Sequence, residues 1–148
     1  MKQIHRARRL ALQGLCCLDV RGLQAMDRVD RFIDDSPESP EVLARAREMI
    51  QATSASLERC DCLLARHARH WDLRRLALVD RNILRLAVLE FLSGRTPRKV
   101  VITEAIKLAG EFSTAESVSF INGVLDAVAK EIIRDAVDTQ DNGKERKD

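Results

Sequence analysis

The sequence predicts an all-α fold, and three observations carry that prediction. Leu, Ala, Arg and Glu dominate, and these are helix formers. Aromatic residues make up only 3% of the chain, with no Tyr and one Trp, too few for a typical β-sandwich. The third is the stretch DRNILRLAVLEFL, residues 80–92, whose apolar side chains run right round the helical wheel. A helix that is greasy on every side belongs at the centre of a helical domain, wrapped by the others. At 148 residues and 45% hydrophobic, the chain is one ordinary domain with enough apolar matter for a core that needs no disulfide or metal.

The elements follow in order. A first helix is expected from His5 to Val20, with Ala7, Leu10, Ala11, Gly14, Leu15, Cys17 and Leu18 on its apolar face. Gly22 then stops it. A second helix covers Leu23 to Asp34. The loop DDSPESP holds two of the three prolines, and Ser39 followed by Pro40 is an N-cap with a first-position proline. A long third helix should run from there to about His67. Asp72 is placed to cap a short helix, Leu73 to Leu78, and Asp80 to cap the central helix, which ends near Ser93 and Gly94. Thr96 and Pro97 repeat the start signal for Lys99 to Phe112, whose Val101, Ile102, Ala105, Ile106, Leu108, Ala109 and Phe112 share a face. VVIT, residues 100–103, would be ambiguous alone but sits inside this pattern. Ser113 with Glu116 reads as a capping box opening the last helix, Thr114 to Ala136. The polar segment DTQDNGKERKD, residues 138–148, is expected to be a disordered tail after a single domain spanning 1–137.

No apolar run approaches the ~18 residues of a membrane helix, and no apolar core follows the N-terminal charges as in a signal peptide. The expectation is a cytoplasmic protein with reduced cysteines. Phosphate-loop, nucleophile-elbow and dinucleotide motifs are lacking, and no carboxylate pair is set around a substrate, so a non-enzyme with no cofactor is expected. Cys60, Cys62, His67 and His70 suggest zinc, but Cys60 and Cys62 point to opposite sides of a helix, so no metal is expected. Cys16 and Cys17 read as core and boundary residues.

Net charge is only +2, but it is unevenly spread. Lys2, His5, Arg6, Arg8 and Arg9 crowd the start with no acid, and a second basic cluster spans Arg66 to Arg75. The second fits a solvated helix face. On the first helix, Arg6, Arg9, Gln13 and Cys16 fall in a row opposite the apolar face, two guanidiniums and an amide suited to phosphates and base edges. In the last helix Gly123 lies off the apolar face beside Ser119 and Asp126. An exposed helical glycine costs about 1 kcal/mol against alanine, which suggests that something approaches its backbone; Phe120 and Asn122 would touch the same visitor.

Taken together, RARRLALQGL, Trp71, VDRNILRLAVLEFL, TPRKVVITEAIKLAGEFS and SFINGVLDAVAK resemble the NusB family of bacterial transcription antitermination factors, over most of the chain. Residues 22–70 match only in helical character. The resemblance implies two packed three-helix bundles around a central buried helix. It implies binding of boxA-type single-stranded RNA in nascent ribosomal RNA transcripts, beside a NusE-type small-subunit ribosomal protein, within the RNA polymerase antitermination complex. RNA contacts would map to Arg6, Arg8, Arg9, Gln13, Phe120, Asn122 and Gly123. The ribosomal-protein contact would lie at Asp80, Arg81 and Arg85. Some residues depart from the family pattern: Cys16 replaces a common Tyr, Thr103 an Asn and Arg98 an aromatic, and the arginine cluster is thin. A thiol cannot stack on a base, a loss on the order of 1–3 kcal/mol. The alternative is therefore a NusB-like paralogue that acts as a protein-interaction module or homodimer with weakened RNA binding.

Overall fold

In the computed structural model, backbone is described for residues 2–68 and 72–145, and side chains for 3–68 and 72–136. Seven α-helices account for most of it: α1 (Lys2–Arg21), α2 (Met26–Asp34), α3 (Pro40–Ala55), α4 (Leu57–His67), α5 (Leu78–Ser93), α6 (Arg98–Phe112) and α7 (Ala115–Glu145). Single 3-10 turns, Leu23–Ala25 and Leu73–Arg75, precede α2 and α5. No strand occurs among the described residues.

The central helix is where the sequence puts it. Helix α5 is the shared wall of two cores. Its Leu86 joins the core of α1, α2 and α3, built on Leu10, Leu15, Val29, Ile33 and Ile50. Its Ile83, Leu84, Ala87, Val88 and Phe91 face the other way, onto Leu64 of α4, Leu108 of α6 and Leu125 of α7. Three helices thus pack on each side of α5. Each fully buried leucine of this rod stabilises the fold by about 1.5–3 kcal/mol. Gly14 leaves room for Ile50 of α3: a Cβ there would sit 2.6 Å from Ile50 Cδ1.

Local signals hold in some places and shift in others. Ser39 caps α3, its hydroxyl oxygen accepting from the Val42 N–H at 3.4 Å, with Pro40 in the first turn. Gly22 ends α1 at φ 88°, a conformation costly for any other residue. The expected long third helix is instead two. It breaks at Ser56 (φ −117°, ψ 18°), where TSAS supplies hydroxyls that compete for backbone bonds; Thr53 already donates to the Met49 carbonyl at 2.7 Å. Asp72 does cap, but only a single 3-10 turn, through Arg74 N–H.

Asp80 is not a cap. Helix α5 starts two residues earlier, and the Asp80 carboxylate accepts from the Ser113 and Ser117 hydroxyls, each at 2.6 Å. Thr114, not Ser113, caps α7 by accepting from the Ser117 N–H at 3.2 Å; Ser113 closes α6. Pro97, rather than Thr96, occupies the N-cap position of α6. Helix α7 continues past Ala136 to Glu145, into the segment expected as a polar tail.

Candidate nucleic-acid interface

Helix α1 is buried on two sides, which sorts its arginines. Ala7, Leu10 and Ala11 face α3, while Leu12 reaches the second core beside α5. Arg8 lies one turn before Leu12 on that same inner side. It is only 3% exposed, and its guanidinium grips Glu90 in a bidentate pair: Nη2 to Oε1 at 2.8 Å and Nε to Oε2 at 3.0 Å. Arg8 Nη1 also lies 3.8 Å from Glu104. Arg8, an RNA contact by the family resemblance, is therefore corrected: its donors are turned inward onto carboxylates. The signal was in the sequence: Glu90 is the one charge in the apolar second half of α5, after Arg85, and needs a cation if buried there.

Arg6, Arg9 and Gln13 remain outside. Their side chains rim a groove of about 300 Å³ between α1, Phe32 of α2 and the Ser36–Pro37–Glu38 turn. Arg6 is 3.6 Å from Glu38, with more than half its side chain exposed. Arg9 Nε pairs with Glu111 at 3.0 Å, and its guanidinium stands 5.7 Å over the Phe112 ring. Exposed pairs of this kind contribute little and yield readily to a phosphate. His5 bridges Glu104 and Glu111 at 2.8 and 2.7 Å, tying the start of α1 to α6.

Cys16 does not continue the row. It is half-buried against the second core, and its thiol is pushed up to about 11 by burial, then by the charge of Asp19, with Asn82 and Arg81 pulling the other way. At neutral pH it is a protonated packing group.

On α7, Asn122 and Gly123 are exposed, and a Cβ added at Gly123 would meet nothing within 4 Å. The glycine is thus not a helix-packing residue. Phe120 is half-buried on the second core and lines a hollow of about 230 Å³ with Arg75, Asp80, Thr114 and Ser117. Arg9 covers Phe112; the adjacent Ser113 and then Ser117 bond Asp80; Phe120 and Gly123 follow one and two turns on.

The residues expected to meet a protein partner are mostly turned inward. Asp80 is buried under two serines. Arg81 donates to Asp19 at 2.8 Å and to the Leu73 carbonyl at 3.0 Å. Arg85 forms a fork with Asp61 at 2.7 and 2.8 Å and reaches Asp19 at 3.2 Å. Burial raises the Asp19 carboxyl, but hydrogen bonds from Asn82 and Arg81 and the nearby guanidiniums outweigh it and hold it below the usual range. Asp80, Arg81 and Arg85, expected at the partner contact, are held in place by these bonds, the two arginines by pairing with acids. Arg81 and Arg85 shape an open groove of about 1070 Å³ whose rim adds Glu58, Asp72 and Arg74.

Cys60 is buried and Cys62 exposed, on different sides of α4. His67 bonds Glu131 of α7 at 2.8 Å; His70 and Trp71 lie outside the described residues. Among the described residues no group of three metal-ligating side chains converges, and no helix is long and apolar enough to cross a membrane.

Comparison with known proteins adds the following. A family model described as the NusB family matches residues 5–130. A transcription antitermination protein NusB from Solibacter usitatus (strain Ellin6076) is 44% identical over 134 residues, covering 89% of this chain and 92% of the relative. The protein of that name from Koribacter versatilis (strain Ellin345) is 42% identical, covering 86% of this chain and 88% of the relative. Among solved structures, T. maritima NusB superposes with a TM-score of 0.79 at 34% identity, over 86% of this chain and 90% of that one. A crystal structure of antitermination factors NusB and NusE in complex with dsRNA gives a TM-score of 0.78 at 25% identity, over 88% and 98%.

Proposed function

The chain belongs to the NusB family, and from that premise we propose that it is a non-enzymatic transcription antitermination factor. It binds boxA-type single-stranded RNA in nascent ribosomal RNA transcripts together with a NusE-type small-subunit ribosomal protein, and the pair joins RNA polymerase. The observation that carries this reading is the solvent-facing Arg6–Arg9–Gln13 row, with Arg9 standing over Phe112; the exposed Asn122 and Gly123 of α7, and Phe120 at the edge of its buried side, are the further contacts we assign.

The chemistry is that of single-strand recognition. Guanidiniums neutralise phosphates, an amide and a ring meet bases, and a helix without a Cβ at Gly123 lets the ribose–phosphate chain lie against it. The ribosomal protein docks along the mixed-charge groove framed by Arg81 and Arg85, with Glu58, Asp72 and Arg74 on its rim. That a relative of this fold was crystallised with NusE and dsRNA supports an RNA and a NusE-type partner in general.

The test is an anisotropy titration of boxA-type RNA across a salt series, with and without the ribosomal protein. Arg6→Glu with Arg9→Glu should abolish tight binding while leaving the melting temperature near the parent's. Every guanidinium–phosphate pairing removed should flatten the slope of log affinity against log salt by about 0.7. Equal affinity and slope in parent and variant would refute the reading. Cys16, half-buried and without a ring to stack on a base, favours a second reading: a dimeric interaction module that ignores RNA. Light scattering separates the two, since an RNA-unresponsive dimer supports the second.

A further inference from the structure

Phe32 stands out from the chain's few aromatic residues. Phe91 is buried; Phe112 and Phe120 are half-buried on the second core; Trp71 lies outside the described residues. Phe32 is 45% exposed. Helix α2 buries Val29 and Ile33 against α1 and α3, and Phe32 falls off that stripe. A single exposed phenylalanine means little by itself. Its neighbours give it meaning: it lines the α1 groove with Arg6, Arg9, Gln13 and Glu38.

We infer that Phe32 is the base-stacking platform of this groove, holding one unpaired nucleotide on its ring while Arg6 and Arg9 take the flanking phosphates. The inference rests on the RNA-binding reading above and supplies what Cys16 cannot, from the neighbouring helix. Three further features suit the role. The ring ends a helix whose last turn is fixed, because the Ser36 hydroxyl donates to the Phe32 carbonyl at 2.9 Å and Pro37 follows with a restricted φ. Gln13 offers both a donor and an acceptor to a base edge. Glu38, which also lines the groove, lies 3.6 Å from Arg6 and keeps that guanidinium at the groove. Guanidiniums beside an exposed aromatic ring favour a polyanion carrying flat rings over an apolar protein segment, because phosphates can take over from the weak, exposed Glu38 and Glu111 pairings while a base meets the ring.

The experiment compares Phe32→Ala, Phe32→Leu and Phe32→Trp with the parent in titrations of boxA-type RNA over a salt series, alongside thermal melts. Alanine and leucine should each weaken binding roughly 5- to 150-fold, the worth of one base–aromatic stack. The salt slope should not move, because every phosphate keeps its guanidinium. Tryptophan should hold or tighten binding. Leucine is the critical arm: it keeps apolar area and helix propensity but has no π-face. Full affinity in Phe32→Leu, or unchanged affinity in Phe32→Ala, overturns the inference while leaving RNA binding by Arg6 and Arg9 intact. A parent that shows no salt-dependent RNA binding overturns both. Weakening confined to the ribosomal-protein titration, with RNA affinity unchanged, would reassign Phe32 to a protein contact and also overturn it.

Discussion

Replacing Arg8 with methionine should damage stability and spare recognition. The guanidinium and the Glu90 carboxylate are 4% and 9% exposed at the side chain, and they share a bidentate pair of 2.8 and 3.0 Å. Methionine keeps much of the stem volume and removes the charge. Glu90 is then left buried without its counter-ion, with the Glu104 carboxylate nearby. Breaking a buried pair from one side costs about 3–5 kcal/mol, a large share of the 5–15 kcal/mol that holds a typical domain. For a chain of this length that is a fall of roughly 6–20 °C in melting temperature. Urea and thermal melts followed by circular dichroism measure it. Removing both partners, Arg8→Met with Glu90→Met, should recover most of the loss, since the desolvated charge goes too. RNA titrations at a temperature where the variant is folded should show the parent's affinity and salt slope. A near-parental melting temperature combined with a slope flattened by about 0.7 would show the guanidinium facing phosphate instead.

Gly123→Ala should raise stability by up to about 1 kcal/mol, because the new Cβ meets nothing. If RNA lies against that backbone its affinity should fall at the same time; a rise in melting temperature with unchanged binding would remove Gly123 from the interface. Acid should weaken the fold through three carboxylates held below their usual range. Burial raises Asp19 and Glu104 but is outweighed by hydrogen bonds, from Asn82 and Arg81 in one and from His5 and Lys107 in the other; Glu131 is lowered by hydrogen bonds from His67 and Arg66. A depressed folded value means the stabilisation is complete above the unfolded value, near pH 4, and is lost as pH falls through the folded one. Urea midpoints should therefore drop below about pH 4; midpoints constant down to pH 2.5 would contradict the assignment.

What the sequence made legible was whatever depends on short-range pattern. The all-round apolar wheel of α5, the Ser39–Pro40 start and the stop at Gly22 are local, and each appears where expected. What escaped depends on partners far along the chain. Arg8 pairs with Glu90 across 82 positions, and Asp80 with Ser117 across 37. Arg8 looked like a surface charge and Asp80 like a helix cap until the packing of α1 and α7 onto α5 closed over them. Phe32 was missed for the opposite reason. An aromatic in an amphipathic helix reads as core, and only its position off the Val29–Ile33 stripe exposes it.

Helix α5 gives one face to each core, and this has a consequence for how the chain comes apart. A polypeptide cut at the Ser56 break would leave α1, α2 and α3 without Leu86 to close their interior, and would strip Leu12 and Arg8 of everything they rest on. Neither fragment should fold alone, although two separate interiors invite the thought of two autonomous units. Mixed together, the pieces should reconstitute one cooperative particle. During synthesis the leading three helices must wait for the fifth to emerge before they can lock.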